Sequence, residues 1–154
     1  MTASSPGSAY DLGDGPFSIE FLFKINTINV QQDALSKGTN AYIVRLSSAN
    51  HFVLVKSGFG NVFSATNAFT DTAGWHHLVI TRAAASQPHI YIDGVDQAGT
   101  YTAATFADNT LTFIMGEGGA ASSPWHGLLD EVALYKTALS AARVNAHYHA
   151  SIAA

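Results

Sequence analysis

The sequence has little charge, no cysteine and no long apolar run, and each shortage excludes a class of protein. None of its 154 residues is cysteine, which excludes a disulfide framework and thiol chemistry. Only 12% of residues are charged and seven are Lys or Arg, so no basic patch predicts binding to nucleic acid. The apolar runs are too short to span a bilayer, which predicts no membrane insertion. The first residues, MTASSPGSAYDLGDG, lack the basic and apolar segments of a signal peptide.

What the sequence does have is 47% hydrophobic residues arranged with a period of two. In FSIEFLFKI (17–25) every second residue is Phe or Ile, which is typical of a strand with one face in a core. Polar turns separate this run from similar ones at 41–47, 51–57, 60–65, 75–82, 89–93, 111–117 and 127–135. We therefore expect an all-β fold, a two-sheet antiparallel jelly-roll sandwich, formed by residues 1–154 as one domain.

Two local signals accompany the strands. Asp93-Gly94 predicts a tight reversal, since glycine adopts positive φ without steric cost. Ser140 is a good N-cap for one short C-terminal helix over 141–150. Val144 and Tyr148 lie four residues apart on one face of that helix, so we expect it to dock onto the sandwich through them.

The histidines do not have the spacing of metal ligands. His76 and His77 are adjacent in a strand and point to opposite faces, so we expect one to be half-buried and the other exposed. His147 and His149 are two apart on a helix, where they do not face each other. These pairs predict no zinc site.

Acidic residues and nucleophile motifs are also too sparse for catalysis. Glycosidase chemistry needs two carboxylates facing each other across a cleft, and no acidic residue lies two positions from Glu20. Asp130 and Glu131 alternate across the sheet. No GxSxG elbow, Walker loop or dinucleotide fingerprint is present. We therefore expect a protein that is not an enzyme.

Five segments resemble laminin-G-like jelly rolls of the concanavalin A-like lectin and glucanase superfamily. They are DLGDGPFSIEFLFK (11–24), GWHHLVITR (74–82), IYIDG (90–94), LTFIMGE (111–117) and HGLLDEVALYKTALSAARV (126–144). The resemblance implies the same two-sheet fold, with glycan or protein binding and often one structural calcium. It also implies that Asp130 helps hold calcium near the chain start, where Asp11 and Asp14 are suitable partners. The alternative is that Asp14 caps a turn and Asp130 bonds to backbone.

A glycan site, if present, is expected in the loops. Sugar recognition needs a flat apolar platform and a few orienting polar groups. Trp125 could supply the platform and His126, Asn109 and Ser123 the hydrogen bonds, if the loops at 106–110 and 116–126 converge. The alternative is that Trp125 folds back over the sandwich edge. Trp75 is expected to be a core or hairpin anchor.

Two functions remain open. The favoured one is a non-catalytic structural or adhesive protein on a bacteriophage virion, such as a head decoration or tail component, made without a signal peptide. The ending ALSAARVNAHYHA (138–150) resembles laminin-G-like segments of actinobacteriophage virion proteins. Its partners would be capsid or tail lattice proteins, or further copies in a homo-oligomer, and cell-surface glycans. The alternative is a carbohydrate-binding module of a larger secreted bacterial enzyme or adhesin.

Overall fold

The structure is a computed structural model that describes residues 2–3, 10–118 and 123–152. Its strands are β1 Thr2–Ala3, β2 Phe17–Ile25, β3 Gln32–Ser36, β4 Tyr42–Leu46, β5 Phe52–Lys56, β6 Gly60–Ala65, β7 His76–Arg82, β8 His89–Ile92, β9 Val95–Asp96, β10 Gly99–Tyr101, β11 Phe113–Met115 and β12 Gly127–Tyr135. The helix α1 spans Ala141–Ser151. Over these residues no helix has the length and apolarity needed to cross a membrane.

The described strands form two antiparallel sheets, which confirms the expected all-β sandwich. A seven-stranded sheet has the order β1-β11-β3-β4-β5-β6-β10, and a five-stranded sheet has the order β12-β2-β7-β8-β9. Sequential neighbours such as β4 and β5 form hairpins, whereas β2 pairs with β12 and β7 from distant parts of the chain. Crossovers between the sheets therefore bring residues 17–25 and 127–135 together.

The period of two in β2 separates an inner face from an outer face. The odd positions, from Phe17 to Ile25, are fully buried in the core between the sheets. The even positions face outward, where Ser18 and Glu20 are also buried because other segments cover them. The outer face of the five-stranded sheet is therefore partly covered, and clefts remain between the sheet and α1.

Strand β3 was not predicted from the sequence because its residues QDALS lack an apolar alternation. All five are buried nevertheless. The Gln32 side chain donates to the Thr27 carbonyl at 2.8 Å and accepts from the His126 backbone N–H at 2.9 Å. Asp33 accepts two hydrogen bonds from the Arg45 guanidinium, at 2.6 and 2.9 Å. Polar groups can be buried here because distant residues satisfy them.

The helix and the predicted reversal are confirmed. Ser140 Oγ accepts from the Arg143 backbone N–H, as an N-cap should. Val144 is fully buried against Val79 and Tyr91 on the outer face of the five-stranded sheet. Asp93 and Gly94 have φ of 51° and 76°, which suits the two-residue turn joining β8 to β9.

Candidate functional site

His76 and His77 lie on opposite faces of β7, as predicted. His76 points to the inner side, where its ring lies 4.8 Å from the Phe69 ring and its Nδ1 lies 2.7 Å from Asp93 Oδ2. His77 points to the outer face and is 3% exposed. The expectation that one of the two is exposed is wrong, because α1 covers His77 and the aromatic loop residue Phe69 packs on His76.

Glu20 is the centre of a buried cluster on the outer face, which we call the Glu20 cluster: Glu20, His77, Tyr135 and His147. Its Oε1 lies 2.7 Å from His77 Nε2 and 3.0 Å from His147 Nδ1. The Tyr135 hydroxyl donates to Oε2 at 2.9 Å. One carboxylate thus joins β2, β7, β12 and α1.

The hydrogen bonds keep Glu20 ionised. Burial raises the pKa of Glu20, but the bonds from His77, His147 and Tyr135 outweigh it and lower that pKa from 4.5 to about 2. Burial, together with the Glu20 carboxylate, raises the pKa of the Tyr135 hydroxyl. Glu20 is therefore an acceptor with both oxygens engaged, and it does not supply a proton near neutral pH.

A cleft of about 550 Å³ opens beside this cluster, and we call it the helix cleft. It is lined by Glu20, Phe21, Leu22, His77, Asp130, Glu131, Ala133, Tyr135, His147, Ala150 and Ser151. One wall is strand β12, the floor is the outer face of β2, and the other wall is the last turn of α1. A mix of apolar carbons with a few polar groups is typical of small-molecule sites.

Strand β12 bulges at the rim of the helix cleft. Its pairing with β2 shifts register between Asp130 and Ala133, and Glu131 has a φ of 50°. A positive φ is uncommon for a residue other than glycine, and this backbone conformation costs about 1–2 kcal/mol. The Asp130 side chain accepts the Glu131 backbone N–H at 2.8 Å and so holds the bulge. The bulge leaves both carboxylate-bearing residues exposed along the cleft.

Trp125 has the position given above as the alternative, whereas Trp75 is exposed and is not the core anchor that was expected. Trp125 is only 9% exposed, its ring meets Phe23 edge-on at 6.2 Å, and its indole N–H donates to the Leu128 carbonyl. It therefore folds back into the core, and only a small part of its surface lines a cleft of about 500 Å³ beside β12. Trp75 is 47% exposed and lines a smaller cleft of about 210 Å³. That smaller cleft shares Leu22, His77 and Ser151 with the helix cleft.

The other predicted sugar contacts are not brought together. Ser123 Oγ accepts from Gln31, and its carbonyl accepts from the Asp33 backbone N–H, so it lies at the start of β3. His126 is exposed beside the same end. Asn109 donates to the carbonyls of Lys37 and Thr39 beyond the other end of β3. A strand of this length separates the two groups by more than about 10 Å. Residues 119–122 of the predicted loop lie outside the described residues.

The three aspartates predicted to hold calcium are also separated. Asp11 Oδ1 lies 3.2 Å from Lys37 Nζ, and Asp14 Oδ1 accepts from the Arg82 guanidinium at 2.8 Å. Asp130 pairs with Leu22 in the middle of β2, away from the strand start that follows Asp14. In the described ranges no three His, Asp or Glu side chains are placed to hold a metal ion. The donor set therefore does not fit calcium, which needs six to eight oxygens.

Sequence reasoning missed the Glu20 cluster and the helix cleft. Each of the four cluster residues comes from a different element, and no local spacing connects them. The available signal was Glu20 itself, a carboxylate in the middle of a long and mostly apolar strand, because a carboxylate that becomes buried needs hydrogen-bond partners.

Comparison with known proteins agrees with this architecture. Residues 3–145 match the Laminin_G_3 family, described as the concanavalin A-like lectin/glucanases superfamily, and the chain belongs to that family. No curated protein sequence matches the chain significantly.

Solved structures share the fold at low sequence identity. A Bacteroides ovatus protein provisionally described as carbohydrate binding has a TM-score of 0.68 and 18% identity, over 94% of this chain and 42% of its own. The binding domain of Paraclostridial Mosquitocidal Protein 1 has a TM-score of 0.73 and 16% identity, over 97% and 40%. Trypanosoma rangeli sialidase, solved with sialic acid, has a TM-score of 0.68 and 16% identity, over 90% and 23%. The chain thus spans less than half the length of each.

Proposed function

We propose that the chain is a non-catalytic carbohydrate-binding module and that the saccharide occupies the helix cleft. The observation that carries this proposal is the cleft itself, in which apolar side chains lie beside polar groups that are fixed before any ligand arrives. The exposed Trp75 ring next to it is a stacking platform of the kind that sugars use. Membership of a lectin and glucanase superfamily supports the same class of ligand.

The Glu20 cluster supports binding rather than hydrolysis. A glycosidase needs one carboxylic acid that keeps its proton near neutral pH. The pKa of Glu20 lies far below that range, and three donors occupy its two oxygens. Its role is to hold the cleft walls in place.

Blocking the cleft is the direct test. Ala150 is an exposed residue in the last turn of α1 that lines the helix cleft, so Ala150→Trp fills it without removing a contact of the core. On a glycan array the wild-type protein should bind at least one saccharide, and Ala150→Trp should lose that binding. Ala142→Trp is the matched control, because Ala142 is exposed on the same helix but does not line the cleft.

Two results would contradict the proposal. In one, no saccharide binds the wild-type protein. In the other, Ala150→Trp binds as well as Ala142→Trp, which would place the sugar elsewhere. Circular dichroism of both variants should match the wild-type spectrum, so that lost binding is not lost folding.

A place on the surface of a bacteriophage virion is a second candidate for the same module. It rests on the resemblance of residues 138–150 to virion segments, and it is compatible with glycan binding. Its partners would be lattice proteins or further copies of the chain in a homo-oligomer. Sedimentation velocity and co-purification with phage particles test it: a monomer at high concentration that is absent from particles would exclude this location.

A further inference from the structure

The structure assigns the helix cleft to a saccharide that donates hydrogen bonds, either uncharged or bearing an amine, and not to a carboxylated sugar. This inference rests on the proposed carbohydrate binding and names the chemical class of ligand. It follows from the hydrogen bonds that the lining side chains already donate to other groups of the protein.

The Glu20 carboxylate accepts a hydrogen bond from each neighbouring donor. A carboxylate can only accept, so His147 must carry its proton on Nδ1, the atom 3.0 Å from Glu20 Oε1. In a neutral imidazole the other ring nitrogen then has a lone pair, so His147 Nε2 is an acceptor. By the same argument His77 donates through Nε2 to Glu20. His147 is partly exposed at the cleft, so its acceptor is within reach of a ligand.

The hydroxyl groups of the cleft also donate their protons in hydrogen bonds within the protein. Tyr135 donates its proton to Glu20 Oε2, and Ser151 donates its proton to the Tyr148 carbonyl at 2.7 Å. Both oxygens can then only accept from a ligand. The Tyr135 and Ser151 hydroxyl oxygens, together with Nε2 of a neutral His147 ring, are therefore the acceptors offered to a ligand, whereas His77 Nδ1 is buried.

The rim adds negative charge to this pattern. Asp130 and Glu131 are exposed at the bulge, and no lysine or arginine is among the residues that line the cleft. The positive charge of Arg143, in the first turn of α1, acts to lower the pKa of the Tyr135 hydroxyl. Sugar hydroxyls and an ammonium group can donate to such a surface. A sugar carboxylate would meet acceptors and like charge, which is unfavourable.

Matched sugar pairs test the inference by isothermal titration at about neutral pH. A glucosamine tetramer should bind about two- to fivefold more tightly than the N-acetylglucosamine tetramer, the size expected for one exposed charge pair. Sialyllactose should bind about two- to fivefold more weakly than lactose, its uncharged parent. The double variant Asp130→Asn, Glu131→Gln should abolish the preference for the amine. Asp96→Asn is the control, because Asp96 is an exposed carboxylate on β9 of the same sheet.

Nitrogen NMR of the histidines tests the proton positions independently of any sugar. At the same pH His147 Nδ1 and His77 Nε2 should carry protons, and His147 Nε2 should carry none. The opposite tautomers would overturn the inference even if sugars bind.

The two proposals fail in different ways. If sugars bind, and Ala150→Trp blocks them, but sialyllactose binds as well as lactose, the inference is wrong and the proposed function stands. If the amine preference survives the double variant, the inference is wrong as well. If none of the four sugars binds while other saccharides on the glycan array do, the inference is wrong and the proposed function stands. If no saccharide on the array binds, both fail.

Discussion

Glu20 and His147 are 127 residues apart in sequence, yet His147 Nδ1 lies 3.0 Å from Glu20 Oε1. The contact fastens α1 to the outer face of the five-stranded sheet, beside the small apolar contact of Val144 with Val79 and Tyr91. Because α1 is also a wall of the helix cleft, the shape of the cleft depends on this carboxylate.

Glu20→Ala should destabilise the fold strongly. The change removes the acceptor of His77, Tyr135 and His147 and leaves the nearly inaccessible His77 N–H without a partner. Breaking a buried charged network in this way typically lowers the free energy of unfolding by about 3–5 kcal/mol. Urea denaturation measures it. Glu131→Ala is the control, since that exposed glutamate should change stability by less than about 1 kcal/mol. Equal effects of the two variants would show that the cluster adds no stability.

The same carboxylate predicts a pH dependence. The pKa of Glu20 is lowered from 4.5 to about 2, so its stabilising contribution is complete above about pH 4.5 and is lost as the pH falls towards 2. The stability gap between the wild-type protein and Glu20→Gln should therefore be largest at and above about pH 5 and shrink below it. Urea midpoints across this range provide the measurement. A gap that is constant with pH would mean that Glu20 is not held ionised by its partners.

The two tryptophans should respond differently to truncation. Trp125→Ala removes a core side chain and should cost about 3–5 kcal/mol of unfolding free energy. Trp75→Ala should cost less than about 1 kcal/mol, because nearly half of that side chain is exposed. Trp75→Ala should also weaken saccharide binding if the ring is the stacking platform. A collapse of the thermal midpoint in Trp75→Ala, with none in Trp125→Ala, would restore the roles predicted from the sequence.

Chelation of calcium should leave the thermal midpoint unchanged. Lys37 and Arg82 already provide positive charge at Asp11 and Asp14, and Lys37 Nζ also donates to the carbonyls of Asn109 and Leu111. Lys37→Met should instead lower the midpoint markedly, because it leaves the buried Asp11 carboxylate and these part-buried carbonyls without their shared donor. Differential scanning calorimetry measures the midpoint of the wild-type protein with EDTA and with added calcium, and the midpoint of Lys37→Met. A midpoint that drops with EDTA and recovers with calcium would establish the calcium site predicted from the sequence.

The sequence by itself determined the faces of the strands and the local caps. The alternation in 17–25 set which side of β2 enters the core, since side chains along a strand point in opposite directions whatever packs against them. Ser140 and Gly94 predicted the helix start and the β8–β9 turn correctly, because a cap and a two-residue turn are formed by neighbouring residues alone.

Only the tertiary structure decided how polar and aromatic residues are used. Gln32 and Asp33 enter a buried strand because partners from Thr27 to His126 satisfy them. The sequence spacing argued against a metal at either histidine pair, but it could not show that one member of each pair meets Glu20. Hydrogen bonds and ring packing act over a few ångströms in space, and the sandwich brings such residues together from segments more than a hundred positions apart.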